Sequence, residues 1–260
     1  MTGARSLLLA SALALASCAS APPASPTATP ALLPSPTPTI VFPTLVPTPT
    51  VTPLASPTTS PELAAGPVLF RATFASDEGW LLSSDADGGA SLSGESLVIA
   101  VSRLGASRYV LVPIPPVGDF LLEATIRAGL CGAEDEVGVL FRVGPQAEHY
   151  RFTLSCSGVA RMARVLKSGA AILAGPAEAS SAIPGSPAMN HLAVLGRGQQ
   201  FTFFINGVEV LQERDSQLVS GGFGFFVRSS SQGQTTAALT ALTVRALQPD
   251  LTTTLTPASG

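Results

Sequence analysis

The stretch VGVLFRV (137–143), continued by GPQAE (144–148) and HYRFTLS (149–155), decides the fold. Two short runs rich in β-branched and aromatic residues flank a Gly-Pro turn, which is the pattern of a β-hairpin. Successive side chains of a strand point to opposite faces, and bulky aromatics belong in a core. Phe141, Tyr150 and Phe152 therefore share the inner face. Arg142, His149, Arg151 and Thr153 are left to project from the other.

The same reading extends in both directions, with no 3.6-residue period competing. Upstream it gives strands at Val68–Phe74, Ser96–Ser102, Arg108–Ile114 and Phe120–Arg127. Downstream it gives Ala160–Leu166, His191–Leu195, Phe201–Ile205, Val208–Gln212, Phe223–Arg228 and Ala238–Leu247. Asn206-Gly207 supplies two residues suited to positive φ, so a type I′ turn joins the strands on either side. Gly94-Glu95 marks a second tight turn. About a dozen short strands at this spacing make an all-β body of two packed antiparallel sheets.

Composition narrows the function. Charged residues are 12% of the 260, with thirteen Arg and one Lys against seventeen acids, a net charge of −3. That balance argues against a nucleic-acid partner, which requires a basic surface. Two His and three Cys leave little for a His-rich metal enzyme.

The first seventeen residues read as a signal peptide, with Arg5 ahead of the eleven-residue apolar run Ser6 to Ala16. Such a run is far shorter than the ~30 Å hydrocarbon core requires. It ends in Leu15-Ala16-Ser17-Cys18, which resembles the bacterial lipobox. That resemblance implies cleavage before Cys18, a lipid on its thiol, and an extracytoplasmic chain tethered to the cell membrane. Residues 18–66 follow as a stalk, with thirteen Pro between 19 and 66. Polyproline II at ~3.1 Å per residue gives this stretch an upper reach on the order of 150 Å. The folded body is expected over 67–247 and a Thr/Pro-rich tail over 248–260.

Gly138-Val139-Leu140-Phe141-Arg142, then Tyr150-Arg151-Phe152-Thr153-Leu154 and Gly158, resembles the concanavalin A-like lectin/glucanase jelly rolls. Asn190-His191-Leu192-Ala193-Val194, Gly196, Ile205-Asn206-Gly207 and Gly221-Gly222-Phe223-Gly224 are similar to the family's closing pattern. Phe70, Phe74 and Trp80 resemble its opening strand. The resemblance implies a two-sheet antiparallel jelly-roll sandwich. Its members include lectins, glucanases, laminin G-like modules and keto-disaccharide hydrolases, so no activity comes with the fold.

Catalytic signals are sparse. Glucanases of this fold alternate acids on one strand so that the carboxylates share a face. Here the nearest match is Glu213-Arg214-Asp215-Ser216-Gln217, which lacks the third acid. Glu134 and Glu136 point together if extended and offer Ca²⁺ two carboxylates, although a hydrated acidic loop is the simpler reading. No other cofactor is expected. With Cys18 lipidated, Cys131 and Cys156 remain to pair in an oxidising compartment, provided the acidic loop curls back. The bridge stabilises by roughly 3–4 kcal/mol in the chain-entropy picture.

On Phe120–Arg127 the inward set Phe120, Leu122, Ala124 and Ile126 leaves Glu123, Thr125 and Arg127 outward. If that strand adjoins the hairpin on a concave sheet, Arg127, Arg142 and Arg151 gather in one groove with Glu123 and His149. Guanidinium forks suit a carboxylated glycan, and Tyr109 or Trp80 offers a stacking platform. The expected function is a monomeric, non-catalytic module that binds carbohydrate, such as cell-wall glycan, or another cell-surface ligand. A glycan-active hydrolase and a structural or adhesion domain are the alternatives.

Overall fold

The computed structural model describes residues 61–248, apart from 78 and 232. The expected signal peptide, Cys18, almost all of the stalk and the tail from 249 onward lie outside the described residues. A 3₁₀ turn, Pro61–Ala64, leads into β1 (Ala65–Arg71), β2 (Ser84–Asp85), β3 (Gly88–Leu92), β4 (Leu97–Val101) and β5 (Ser107–Leu111). Then come β6 (Phe120–Ala128), β7 (Glu136–Val143), β8 (His149–Ser155), β9 (Val159–Leu166) and β10 (Gly169–Glu178). The chain closes with β11 (Ala188–Arg197), β12 (Gln200–Ile205), β13 (Val208–Arg214), β14 (Gly222–Arg228) and β15 (Thr235–Leu247).

These strands form two antiparallel sheets. One has nine strands in the order β13-β12-β11-β6-β15-β4-β3-β2, with β1 also on β15. The other has six, ordered β10-β9-β8-β7-β14-β5. β15 is long enough to carry β4 along Thr235–Leu239 and β1 along Thr243–Leu247. The core between the sheets takes alternate residues from both, including Phe120, Phe141, Tyr150, Phe152, Phe203 and Phe223. Trp80 is buried there against Phe70 and Phe74, so it is no sugar platform.

The structure bears out the strands expected from periodicity, with ends moved by a few residues, and adds three. β2, β3 and β10 escaped the reading because SD, GGASL and GAAILAGPAE lack large alternating side chains. β2 and β10 lie at sheet edges and β3 next to one, where little apolar surface needs covering. Asn206 and Gly207 have φ of 51° and 81°, as the type I′ turn requires. The folded body starts earlier than expected, with Pro61 opening the 3₁₀ turn inside the stretch assigned to the stalk.

One expectation about layering is corrected. β6 does not adjoin the 137–155 hairpin; it pairs with β11 and β15 in the nine-stranded sheet. Arg127 and Glu123 do point outward, but from the opposite side of the sandwich, and Glu123 meets Arg245 at 3.3 Å. Between β6 and β7 the chain crosses from one sheet to the other, so neighbours in sequence become opposite layers. Alternation tells inside from outside without telling which outside.

Arg142 is the second correction. A bulge opposite Gly222 and Phe223 breaks the register of β7, and Arg142 takes φ of 52° there. Gly221 makes this possible: a Cβ on it would stand 2.3 Å from the Arg142 carbonyl carbon. The turned side chain leaves the open face and is 1% exposed, with its guanidinium 4.7 Å from the Phe201 ring centre. It donates to the carbonyls of Leu218 (2.8 Å), Gly118 (3.1 Å) and Gly198 (2.6 Å). Burial lowers its pKa, opposed by Tyr150 and Asp119. Arg142 is thus a tie among three loops rather than a ligand-binding cation.

The other end of β7 is held by Asp135. Its fully buried carboxylate accepts from the Gly132, Ser230 and Ser231 amides and from the Ser231 and Thr235 hydroxyls. Burial alone would raise its pKa; the bonds from Thr235, Ser230, Gly132 and Ser231 outweigh it and bring the value below 3.8. The acidic loop curls back as the cysteine pairing required, and Cys131 and Cys156 form a disulfide with Cα atoms 6.2 Å apart.

Two outcomes follow for stability. Arg142→Ala should lower the unfolding free energy by about 3 kcal/mol or more in denaturant titrations, because three buried carbonyls lose a charged donor. Arg142→Lys should recover only part of this, and an unchanged midpoint for either variant would contradict the assigned tie. Asp135 has its native pKa below its unfolded one, so its stabilisation is full above about pH 4 and fades as pH falls through the native value. Asp135→Asn should be less stable at pH 7 and show a shallower loss below pH 4; an undiminished acid slope would refute the assignment.

Candidate functional site

The outer face of the six-stranded sheet is built by strand register. Arg228 lies opposite Glu136 and Phe226 opposite Gly138 across β14 and β7. Gly138 faces Thr153, and Leu140 faces Arg151, across β7 and β8. Thr153 faces Arg161, and Arg151 faces Ala163, across β8 and β9. Ile172 of β10 continues the last row beyond Ala163.

All of these residues but Gly138, Leu140 and Phe226, together with Glu134 and Ser230, line a cleft of about 270 Å³. Glu136 is buried at one end, with Oε1 at 3.0 Å from Arg161 Nη1 and Oε2 at 3.9 Å from Arg228 Nη1. Arg151 reaches across β7, where Gly138 carries no side chain, and lays its guanidinium 5.3 Å from the Phe226 ring centre. Burial lowers the Arg151 pKa, Glu136 opposes the shift and Arg228 adds to it. Three guanidinium groups and two carboxylates leave the cleft with a net charge of +1. Ile172 and Ala163 give it an aliphatic wall.

Of the residues expected to gather here, Arg151 lines the cleft, and His149 and Tyr109 lie on the same sheet face. His149 Nδ1 is 2.6 Å from the Ala147 carbonyl, so Nδ1 carries the proton and donates, leaving Nε2 as an acceptor. Burial lowers the His149 pKa, against the bond to Ala147, and Arg151 lowers it further. Tyr109 is 45% exposed, its ring 6.5 Å from that of His149. It borders a second depression of about 310 Å³ along β5, with Leu81 and Leu111. Arg127 and Glu123 are on the other sheet, and Arg142 is buried.

Arg161, Arg228 and Phe226 were not singled out from sequence. Their outward parity was legible from Met162 and from Val227 and Phe225, which are buried. What alternation did not carry is that β14 returns to lie beside β7.

Of the acids expected as chemistry, Asp215 and Glu136 are otherwise engaged. Asp215 accepts from the Tyr150 hydroxyl and pairs with Arg164, and burial together with Asp215 pushes the Tyr150 phenol up to about 12. The Asp135 carboxylate is taken up by its five donors, and Glu136 by arginines. Among the described residues, no group of three or more His, Cys, Asp or Glu could hold a metal ion.

No family model and no curated protein matches this chain. Solved structures do. A carbohydrate-binding module, CBM66 from Bacillus subtilis, is 17% identical with a TM-score of 0.53, covering 65% of this chain and 96% of its own. A Bacillus subtilis protein of unknown function with a galectin-like fold is 14% identical with a TM-score of 0.53, covering 70% and 97%. A prokaryotic β-1,3-1,4-glucanase (lichenase) from a mouse hindgut metagenome is 13% identical with a TM-score of 0.50, covering 68% and 98%. At these identities the fold is what is shared. The body is a two-sheet antiparallel jelly-roll sandwich, a fold shared by that carbohydrate-binding module and that lichenase alike.

His149 offers a direct check on this face. Because its native pKa lies below the unfolded value near 6.5, protonation opposes the folded state as pH falls below that value. Its ring resonances followed by NMR should titrate below pH 6.5, and a midpoint above 6.5 would mean the ring is not held neutral by burial.

Proposed function

We propose that this protein is a lipid-anchored, extracytoplasmic glycan-binding module, held to a bacterial membrane through Cys18 and displayed on the Pro-rich stalk that follows it. The observation that carries the reading is the polar cleft on the open six-stranded sheet. It combines fixed charged donors, an aliphatic wall and an exposed tyrosine nearby, which are the groups a sugar ring needs. The non-catalytic reading is supported by the engagement of Glu136 with Arg161 and Arg228. Two-carboxylate glycoside hydrolysis needs a protonatable acid and a second carboxylate flanking the bond. The monomer is part of the same proposal.

The full chain, produced in a bacterial host fed an alkyne fatty acid, should carry label that Cys18→Ala removes. On a glycan array it should capture oligosaccharides, and Arg161→Ala and Tyr109→Ala should weaken capture by roughly tenfold or less each. Absence of any glycan capture would overturn the binding reading. Release of shortened sugars from a captured glycan would overturn the non-catalytic one.

A further inference from the structure

We infer that the cleft selects one carboxylated sugar residue of a glycan, a uronic or sialic acid unit, and grips its carboxylate with Arg151 and Arg228. This rests on the glycan-binding reading above and names the chemical class of its ligand.

The cleft already shows what it does with a carboxylate. Glu136 is held with one oxygen toward Arg161 and the other toward Arg228, so paired guanidinium groups are set around a planar anion. Arg161 makes the closer of the two contacts, at 3.0 Å, which fixes its orientation. Arg228 meets Glu136 only at 3.9 Å, and its side chain is 40% exposed, so most of its donors still face the cleft. Among the described residues, Arg151 makes no ion pair; its guanidinium carbon sits over the Phe226 ring, 5.3 Å from the centre. Such a cation–π contact restricts a flexible side chain without using its N–H groups, which are left for an acceptor. A second carboxylate relieves the repulsion between Arg151 and Arg228 that a neutral sugar would leave in place.

Size and lining limit the rest of the ligand. About 270 Å³ is just under the ~300–1,000 Å³ of drug-sized sites, which suits one ring and not a whole oligosaccharide. Ile172 and Ala163 face the ring's apolar side, while Thr153 and Ser230 offer hydroxyls to its polar rim.

Titration calorimetry of the full chain tests this with oligogalacturonate and sialyllactose, each beside its carboxyl-reduced form. A carboxylated probe should bind, with its reduced form weaker by roughly tenfold or more, the loss expected for one charge-assisted contact. Arg151→Ala and Arg228→Ala should each weaken it similarly, and Arg228→Lys should recover only part. Arg127→Ala, on the opposite sheet, should leave it unchanged. Because Arg228 is well exposed, its variant keeps the test valid if Arg151→Ala fails to fold. Equal binding of reduced probes, or indifference to both arginines, would overturn the carboxylate assignment and leave glycan binding standing. Capture of sulfated but not carboxylated chains would do the same. Failure of every glycan, neutral or acidic, would remove both readings.

Discussion

A single buried carboxylate governs how this sandwich presents its open face. Asp135 sits where the chain has just crossed from one sheet to the other, and its oxygens gather five donors from two separate loops. An ionised group stripped of water is tolerable only when its lone pairs are satisfied this fully. The consequence is mechanical. The loop carrying Cys131 is drawn against Ser230, Ser231 and Thr235, so β7 starts beside the end of β14 and Glu136 meets Arg228. The disulfide to Cys156 then fastens the same loop to the far end of β8. Charge, covalent bond and strand register all act within a few residues of the cleft.

Arg142 and Arg151 show how far alternation can be pushed. Both lie on what simple parity makes the outer face, on neighbouring strands. Arg151 keeps that position because β8 runs unbroken against β7 and β9. Arg142 loses it because a bulge admits a left-handed residue, allowed only because Gly221 leaves room beneath. The glycine pair Gly221-Gly222 is visible in the sequence, yet its meaning depends on a strand some eighty residues away in the chain. The hairpin, the type I′ turn and the core aromatics were legible because each rests on contacts local to one or two strands.

The cleft was only partly legible for the same reason. Arg151 and His149 were placed on one face by alternation within their strand, Tyr109 was offered as a stacking platform, and Glu134 and Glu136 were read as two carboxylates of a hydrated loop that point together if extended. Arg161 sits on β9, next to β8 in sequence and in the sheet, whereas Arg228 enters through the pairing of β14 with β7, which a topology that alternates between layers hides from a linear reading. Arg127 fails in the opposite sense, having the correct outward direction on the wrong sheet. Whether an acid is free or spent is likewise a tertiary property: Asp215 looked like a fragment of a catalytic strand and instead clamps Tyr150 and Arg164.

The forked pairing of β15 bears on how the body would carry tension. Ala65 and Leu247 are partners in the ladder, so the polypeptide enters and leaves the sandwich side by side. Tugging the two ends apart would open the β1–β15 hydrogen bonds one after another, a weak mode of resistance. A pull between the entering segment and something gripped on the six-stranded sheet enters through the same β1–β15 ladder before it reaches the aromatic interior. A body anchored at its leading end and loaded at that face would therefore yield first where β1 leaves β15, with the sandwich behind it intact.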